Sequence, residues 1–181
     1  MDSSPPDLEG LRFPIGRFEP VADPSASDRR RWRDAIAGTP AALRAALAGL
    51  TREQLDTRYR PEGWTVCQLA HHVPDSHMNA YIRFKLALTE DAPTIKPYDE
   101  AGWAELADGV DPDVETSLVL LERLHTRWVR VIDSIDDSSW GRPLVHPDIG
   151  RIHLDTLLQI YAWHGPHHVA HVTRLRDRNQ W

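Results

Sequence analysis

The chain has 181 residues, 41% of them hydrophobic and 27% charged, with a net charge of -6, which fits one soluble globular domain. No apolar run reaches the roughly 18 residues of a membrane helix, and the polar start MDSSPPDLEG has no apolar signal core. The single cysteine, Cys67, excludes an internal disulfide and suits a reducing cytosol, and no basic run exceeds DRRRWR, which argues against a nucleic-acid partner.

Residues 1–10 read as a flexible tail, and 11–181 as a single domain. LRFPIGRFEP is an irregular arm punctuated by Pro14 and Gly16. The first long helix is expected over Asp28–Leu50, with Trp32, Ile36, Leu43, Leu47 and Leu50 at helical spacing and a kink or split at Pro40. In GWTVCQLAHHV, Thr65 and Gln68 have capping-box spacing, and Trp64 with Leu69 forms a hydrophobic staple. The apolar stripe then runs Val66, Leu69, Val73, Ala80, Phe84, Leu88, with a kink predicted at Pro74. EDAPTIKPYDEAGWAEL is a long connection with one short helix near Asp99–Leu106. A third helix, Asp113–Ile135, carries a bundle seam of Val114, Leu118, Leu121, His125, Trp128, Ile132 and Ile135. DDSSWGRPLVHPDIGRIH reads as loop, and the fourth helix as Leu154–Arg178. Four long amphipathic segments make an all-α four-helix bundle. The long connections leave the order of packing open.

Histidine is the outlier of the composition. Seven of the ten fall in two clusters, His71/His72/His77 and His164/His167/His168/His171. On the fourth helix two pairs have i,i+4 spacing, His164/His168 and His167/His171, and both fall on an arc overlapping the core stripe. Buried imidazoles need hydrogen-bond partners and cannot all charge at once, and a metal satisfies both demands. His72 lies near the apolar stripe of the second helix, with Asp75 placed to orient a ligand ring. Two histidines from one helix and one from another leave coordination positions open, as in catalytic sites. The plainer reading is a hydrogen-bonded polar seam. His125 reads as a satisfied core histidine or, failing that, a pocket-lining or ligand-orienting group. Cys67, in a first helical turn, reads as structural, although the helix dipole there would lower its pKa.

The blocks RPEGWTVCQLAHHVPDSHMNAYIRFKLALTE, PTIKPYDEAGWAEL, LLERLHTRWVRV and YAWHGPHHVAH, together with the arm RFPIGRFEP, resemble the YfiT family of metal-dependent hydrolases in the DinB superfamily. The resemblance covers Leu11 to Trp181. It implies a DinB-type four-helix bundle, a cytoplasmic homodimer, and one divalent metal per chain, zinc or nickel, held by His72, His167 and His171. His164 and His168 would then be neighbours of the site. Pro74 and Pro166 depart from the family pattern beside the proposed ligands. The implied activity is metal-dependent hydrolysis of a small-molecule substrate, with His71, Asp75 and His77 as candidate proton carriers. Two further readings are transfer of a low-molecular-weight thiol, whose carboxylates would call for pocket arginines, and a non-catalytic metal-stabilised binding or stress protein.

Overall fold

The structure, a computed structural model, describes residues 8–181. Most of the expected tail, residues 1–7, lies outside the described residues; Leu8–Gly10 open a short helix, α1 (Leu8–Arg12). Helix α2 (Ala26–Leu47) starts at Ser25, whose hydroxyl accepts from the amide of Asp28 while the Asp28 carboxylate accepts from that of Ser25. Helix α3 (Arg52–Leu55) is one turn. Helix α4 (Val66–Thr89) begins at the expected Thr65/Gln68 capping box. A short α5 (Glu100–Ala104) precedes α6 (Val114–Asp133), and α7 (Leu154–Asn179) ends the chain. Pro40, Pro74 and Pro166 lie inside α2, α4 and α7, and all three helices run on through them. The expected split at Pro40 does not occur.

The α6–α7 connection contains an antiparallel hairpin, β1 (Pro143–His146) with β2 (Gly150–His153), paired Leu144 to Ile152. This corrects the reading of the segment as loop. Leu144 is fully buried, and Val145 exchanges backbone hydrogen bonds with Pro93 and Ile95, so the α4–α5 connection lies along β1.

In the bundle, α2 packs against α6 and α7, and α4 against the same two. Helices α2 and α4, consecutive among the long ones, therefore sit diagonally, and α6 and α7 likewise. Two apolar clusters fill the interior. One is built around Ile36, Phe84, Trp128, Leu154 and Leu158, the other around Leu43, Leu69, Leu121, Val172 and Leu175. Along α4, α6 and α7 the histidines fall between the residues of these clusters, so they form a polar layer across the bundle. Gly165 brings α7 close to α2 beside this layer: a Cβ there would overlap the Thr39 side chain, whose Cγ2 lies 2.7 Å away.

Candidate metal centre

The layer holds two convergences of imidazole nitrogens. His72 of α4 meets His164 and His168 of α7, and His167, His168 and His171 meet one another on α7 alone; in each group the ligand atoms lie within 4.8 Å of one another. His72, His167 and His171 are not brought together as one such group among the described residues. The inner group therefore draws on two helices and the outer on one, with His168 common to both.

In the inner group, Nε2 of His164 and Nε2 of His168 are 3.2 Å apart. The His72 ring lies 5.4 Å from His164 and 4.9 Å from His168, centroid to centroid, and packs against Trp64 at 4.5 Å. A tetrahedral zinc with Zn–N bonds of about 2.1 Å separates its ligand nitrogens by about 3.4 Å, so the spacing fits a shared cation. Burial holds His72 at about 4, with the nearby His167 adding to the effect, and keeps His164 and His168 well below 6.5. Lone pairs are then available at neutral pH, as metal ligation requires. Nδ1 of His168 is buried without a hydrogen-bond partner, as is Nδ1 of His167, so these nitrogens do not distinguish the two groups. The donor set and the spacing both fit a divalent metal.

The outer group differs in its surroundings. Nε2 of His171 and Nε2 of His167 are 3.0 Å apart. Tyr59 lies over His171 at 4.1 Å and Trp163 stacks on His167 at 4.2 Å. Burial, then His167, Arg60 and Arg178, depress His171 to about 3. The same two arginines would repel a dication.

A third set of rings lies behind the inner group. Nδ1 of His164 is 3.1 Å from Nε2 of His77, whose Nδ1 is 2.8 Å from Nε2 of His125, and Nδ1 of His125 is 2.7 Å from the carbonyl oxygen of Ile36. His77 is fully buried and His125 is 2% exposed. His125 is thus a buried core histidine with both ring nitrogens hydrogen-bonded, as the sequence suggests, and it also borders a cleft between α2 and α6.

The other sequence candidates lie elsewhere. His71 donates from Nε2 to the Asp111 carbonyl and accepts at Nδ1 from Ser117, which ties α4 to the start of α6 and occupies both ring nitrogens. Asp75 sits with His71, Asp108 and Asp111 around a separate 190 Å³ cleft. Burial, reinforced by Asp108, raises it to about 6. The partner that meets His164 is therefore His77, not this carboxylate. The Cys67 thiol donates to the Asp111 carbonyl, and burial raises its pKa, so the expected lowering by the helix dipole does not prevail.

A cleft of about 450 Å³ opens between α4, α5 and the hairpin, lined by Trp64, Arg83, Tyr98, Glu100, His146 and Asp148 among others. It adjoins the inner group through Trp64, which touches His72. Ser76 Oγ lies 3.5 Å from Nε2 of His164. The Tyr98 hydroxyl is buried without a partner, and burial raises its pKa, so it keeps its proton. Arg83 reaches the Tyr161 hydroxyl and the Lys96 carbonyl only at 3.4 Å, and no carboxylate lies within 4 Å of it among the described residues. Burial raises Glu100 despite the opposing pull of Arg83. Sequence reading did not group Ser76, Arg83, Tyr98 and Glu100 because no spacing pattern links them; Tyr98 and Glu100 follow the segment that β1 holds at residues 93–95 and line the cleft.

A polar histidine layer between two apolar halves of a helical bundle defines a class, and comparison with known proteins agrees. The profile of the DinB superfamily matches residues 35–172. The chain belongs to this superfamily and, within it, to the YfiT family. It is 45% identical over 172 residues to the Bacillus subtilis protein named "Putative metal-dependent hydrolase YfiT", covering 94% of this chain and 97% of that one. A protein of Bacillus mycoides with the same functional name is 48% identical over 174 residues, covering 96% of this chain and all of the other. The solved structure of Bacillus subtilis YfiT, "a probable metal-dependent hydrolase with an unusual four-helix bundle topology", superposes with a TM-score of 0.92 at 44% identity, covering 95% of this chain and 99% of that one. No helix among the described residues is long and apolar enough to cross a membrane.

Proposed function

We propose that the protein is a metal-dependent hydrolase of small molecules whose metal, Zn2+ or Ni2+, is held by His72, His164 and His168. The carrying observation is the 3.2 Å approach of the His164 and His168 Nε2 atoms beside the His72 ring, which packs on the cleft-lining Trp64. The reading brings with it the cytoplasmic homodimer implied by the family resemblance. A divalent cation supplies Lewis acidity toward a substrate oxygen and toward water. The chain's own residues do the rest. Trp64 offers an apolar wall, the protonated Tyr98 hydroxyl and Ser76 offer donors beside His164, and Arg83 offers a cation without a carboxylate partner. Glu100, raised by burial, is the carboxylate placed to take a proton at the cleft wall.

Arg83 also favours a second reading, transfer of a carboxylate-bearing thiol, since a free guanidinium in the cleft is the group such a ligand needs. A substrate screen on metal-loaded protein, covering esters, amides and thiol conjugation, separates the two.

Metal content of alanine variants tests the site. Wild-type protein is expected to carry about one equivalent per chain, with loss in His72→Ala and His164→Ala and retention in His171→Ala. Loss in His171→Ala with retention in His164→Ala would move the metal to the His167/His171 pair that the family resemblance implies.

A further inference from the structure

We propose that His77 and His125 are positioning residues: anchored on the carbonyl of Ile36, they fix the His164 ring with Nδ1 protonated and the Nε2 lone pair turned toward His72 and His168. The proposal rests on the metal-centre reading for its functional consequence, but not for the proton order itself.

The proton order follows from one fixed acceptor. A backbone carbonyl can only accept, so the 2.7 Å contact with Ile36 requires a proton on Nδ1 of His125. The neutral His125 ring then presents a bare Nε2, and its 2.8 Å contact requires a proton on Nδ1 of His77. Nε2 of His77 is bare in turn and must accept, at 3.1 Å, from Nδ1 of His164. Three contacts, three protons and one acceptor-only end leave a single order for neutral rings. The reverse order would set a nitrogen lone pair against the carbonyl at 2.7 Å in a buried layer, where an unmade hydrogen bond costs about 1–3 kcal/mol. A second proton on any ring would place a charge there without a counterion.

The terminus of this order is a bare Nε2 on His164, 3.2 Å from Nε2 of His168. That is the tautomer a metal ligand needs, set in advance by a group on α2 acting through α6 and α4. Ring planes are held as well: the Trp128 indole stands edge-on to both His77 and His125, at 5.7 and 5.4 Å, and Tyr161 stands edge-on to His77 at 5.3 Å. A carboxylate in the same place would orient the ring equally well but would bring its own charge. A neutral histidine relay orients the ligand and leaves the charge of the cation uncompensated.

Two measurements test the relay. Long-range proton–nitrogen correlation spectra of histidine-labelled, metal-free, full-length protein should show His125, His77 and His164 each protonated at Nδ1 and bare at Nε2. An Nε2-protonated His164 overturns the proposal. Zn2+ dissociation constants, from chelator competition, are then compared for wild type, His125→Leu and His125→Gln. His125→Leu is expected to weaken binding by about 10–100-fold. His125→Gln should recover most of it, because its amide nitrogen can donate to Ile36 while its oxygen accepts from His77. A folded His125→Leu protein with wild-type affinity, or equal losses in both variants, contradicts the proposal. If His125→Leu does not fold, the spectrum of the wild type still decides. A wild type that takes up no Zn2+ refutes the metal-centre reading, and the nitrogen spectrum then decides the proton order by itself.

Discussion

The two histidine groups of α7 have the same residue type, the same i,i+4 spacing and almost the same position, yet their surroundings differ. His164 and His168 face a third imidazole from α4, and His164 has its other nitrogen engaged by His77. His167 and His171 face each other under Tyr59 and Trp163, with Arg60 and Arg178 near His171. Ligand-type residues at ligand spacing do not by themselves make a centre. A second helix, an orienting partner and a tolerant charge environment separate the inner group from the outer one.

The contrast can be broken most strongly at His164. His164→Ala should weaken Zn2+ binding by about a thousandfold or more, as expected for one of three protein ligands, whereas His171→Ala should stay within a few-fold of wild type; isothermal titration with Zn2+ measures both. A backbone test comes next. Gly165→Ala forces a Cβ into Thr39 and pushes the whole histidine segment of α7 off α2. It should cost about 1–3 kcal/mol in urea unfolding, and Thr39→Ala in the same chain should recover part of that loss.

Acid offers a third handle. Burial holds His125 at about 4 in the fold, so that desolvation outweighs the opposing hydrogen bond to Ile36, and holds His77 well below 6.5, while both return to about 6.5 when the chain unfolds. Between these values the unfolded chain binds more protons, so stability is present above about 6.5 and is lost as pH falls toward 4. The Tm of metal-free protein should drop by roughly 5–10 °C from pH 7 to pH 5, and by less in His125→Gln. A Tm that rises on acidification would contradict neutral relay rings. The smallest effect is expected at the outer group. Removing Arg60 and Arg178 together should improve any secondary Zn2+ binding there by less than about tenfold, while the first equivalent is unchanged.

Much of the scaffold is legible in the sequence because its signals are local. Thr65 and Gln68 specify the start of α4, and the seam from Leu118 to Ile132 specifies the buried face of α6. The hairpin was not legible: its strands are four residues each, and Val145 is held by backbone bonds to Pro93 and Ile95, some fifty positions earlier. Pro40 reads as a kink or split and Pro74 as a kink, yet α2 and α4 each run on as one helix, as does α7 through Pro166. The histidine clusters read as a metal site or a polar seam, and a buried histidine layer is present. The sequence leaves two i,i+4 pairs equivalent, for a geometric reason. His164 and His167 differ by about 60° around the helix, so both pairs fit one inward arc and only the rotation of α7 against α4 chooses between them. His77 and His125 are 48 positions apart, and no periodicity links them.

Anomalous difference density from a crystal of Zn2+-loaded protein tests the central claim most directly. One peak is expected about 2.1 Å from Nε2 of His164, Nε2 of His168 and a ring nitrogen of His72, with His77 still hydrogen-bonded to Nδ1 of His164. A peak bonded by His167 and His171, with His164 free of metal, would contradict it.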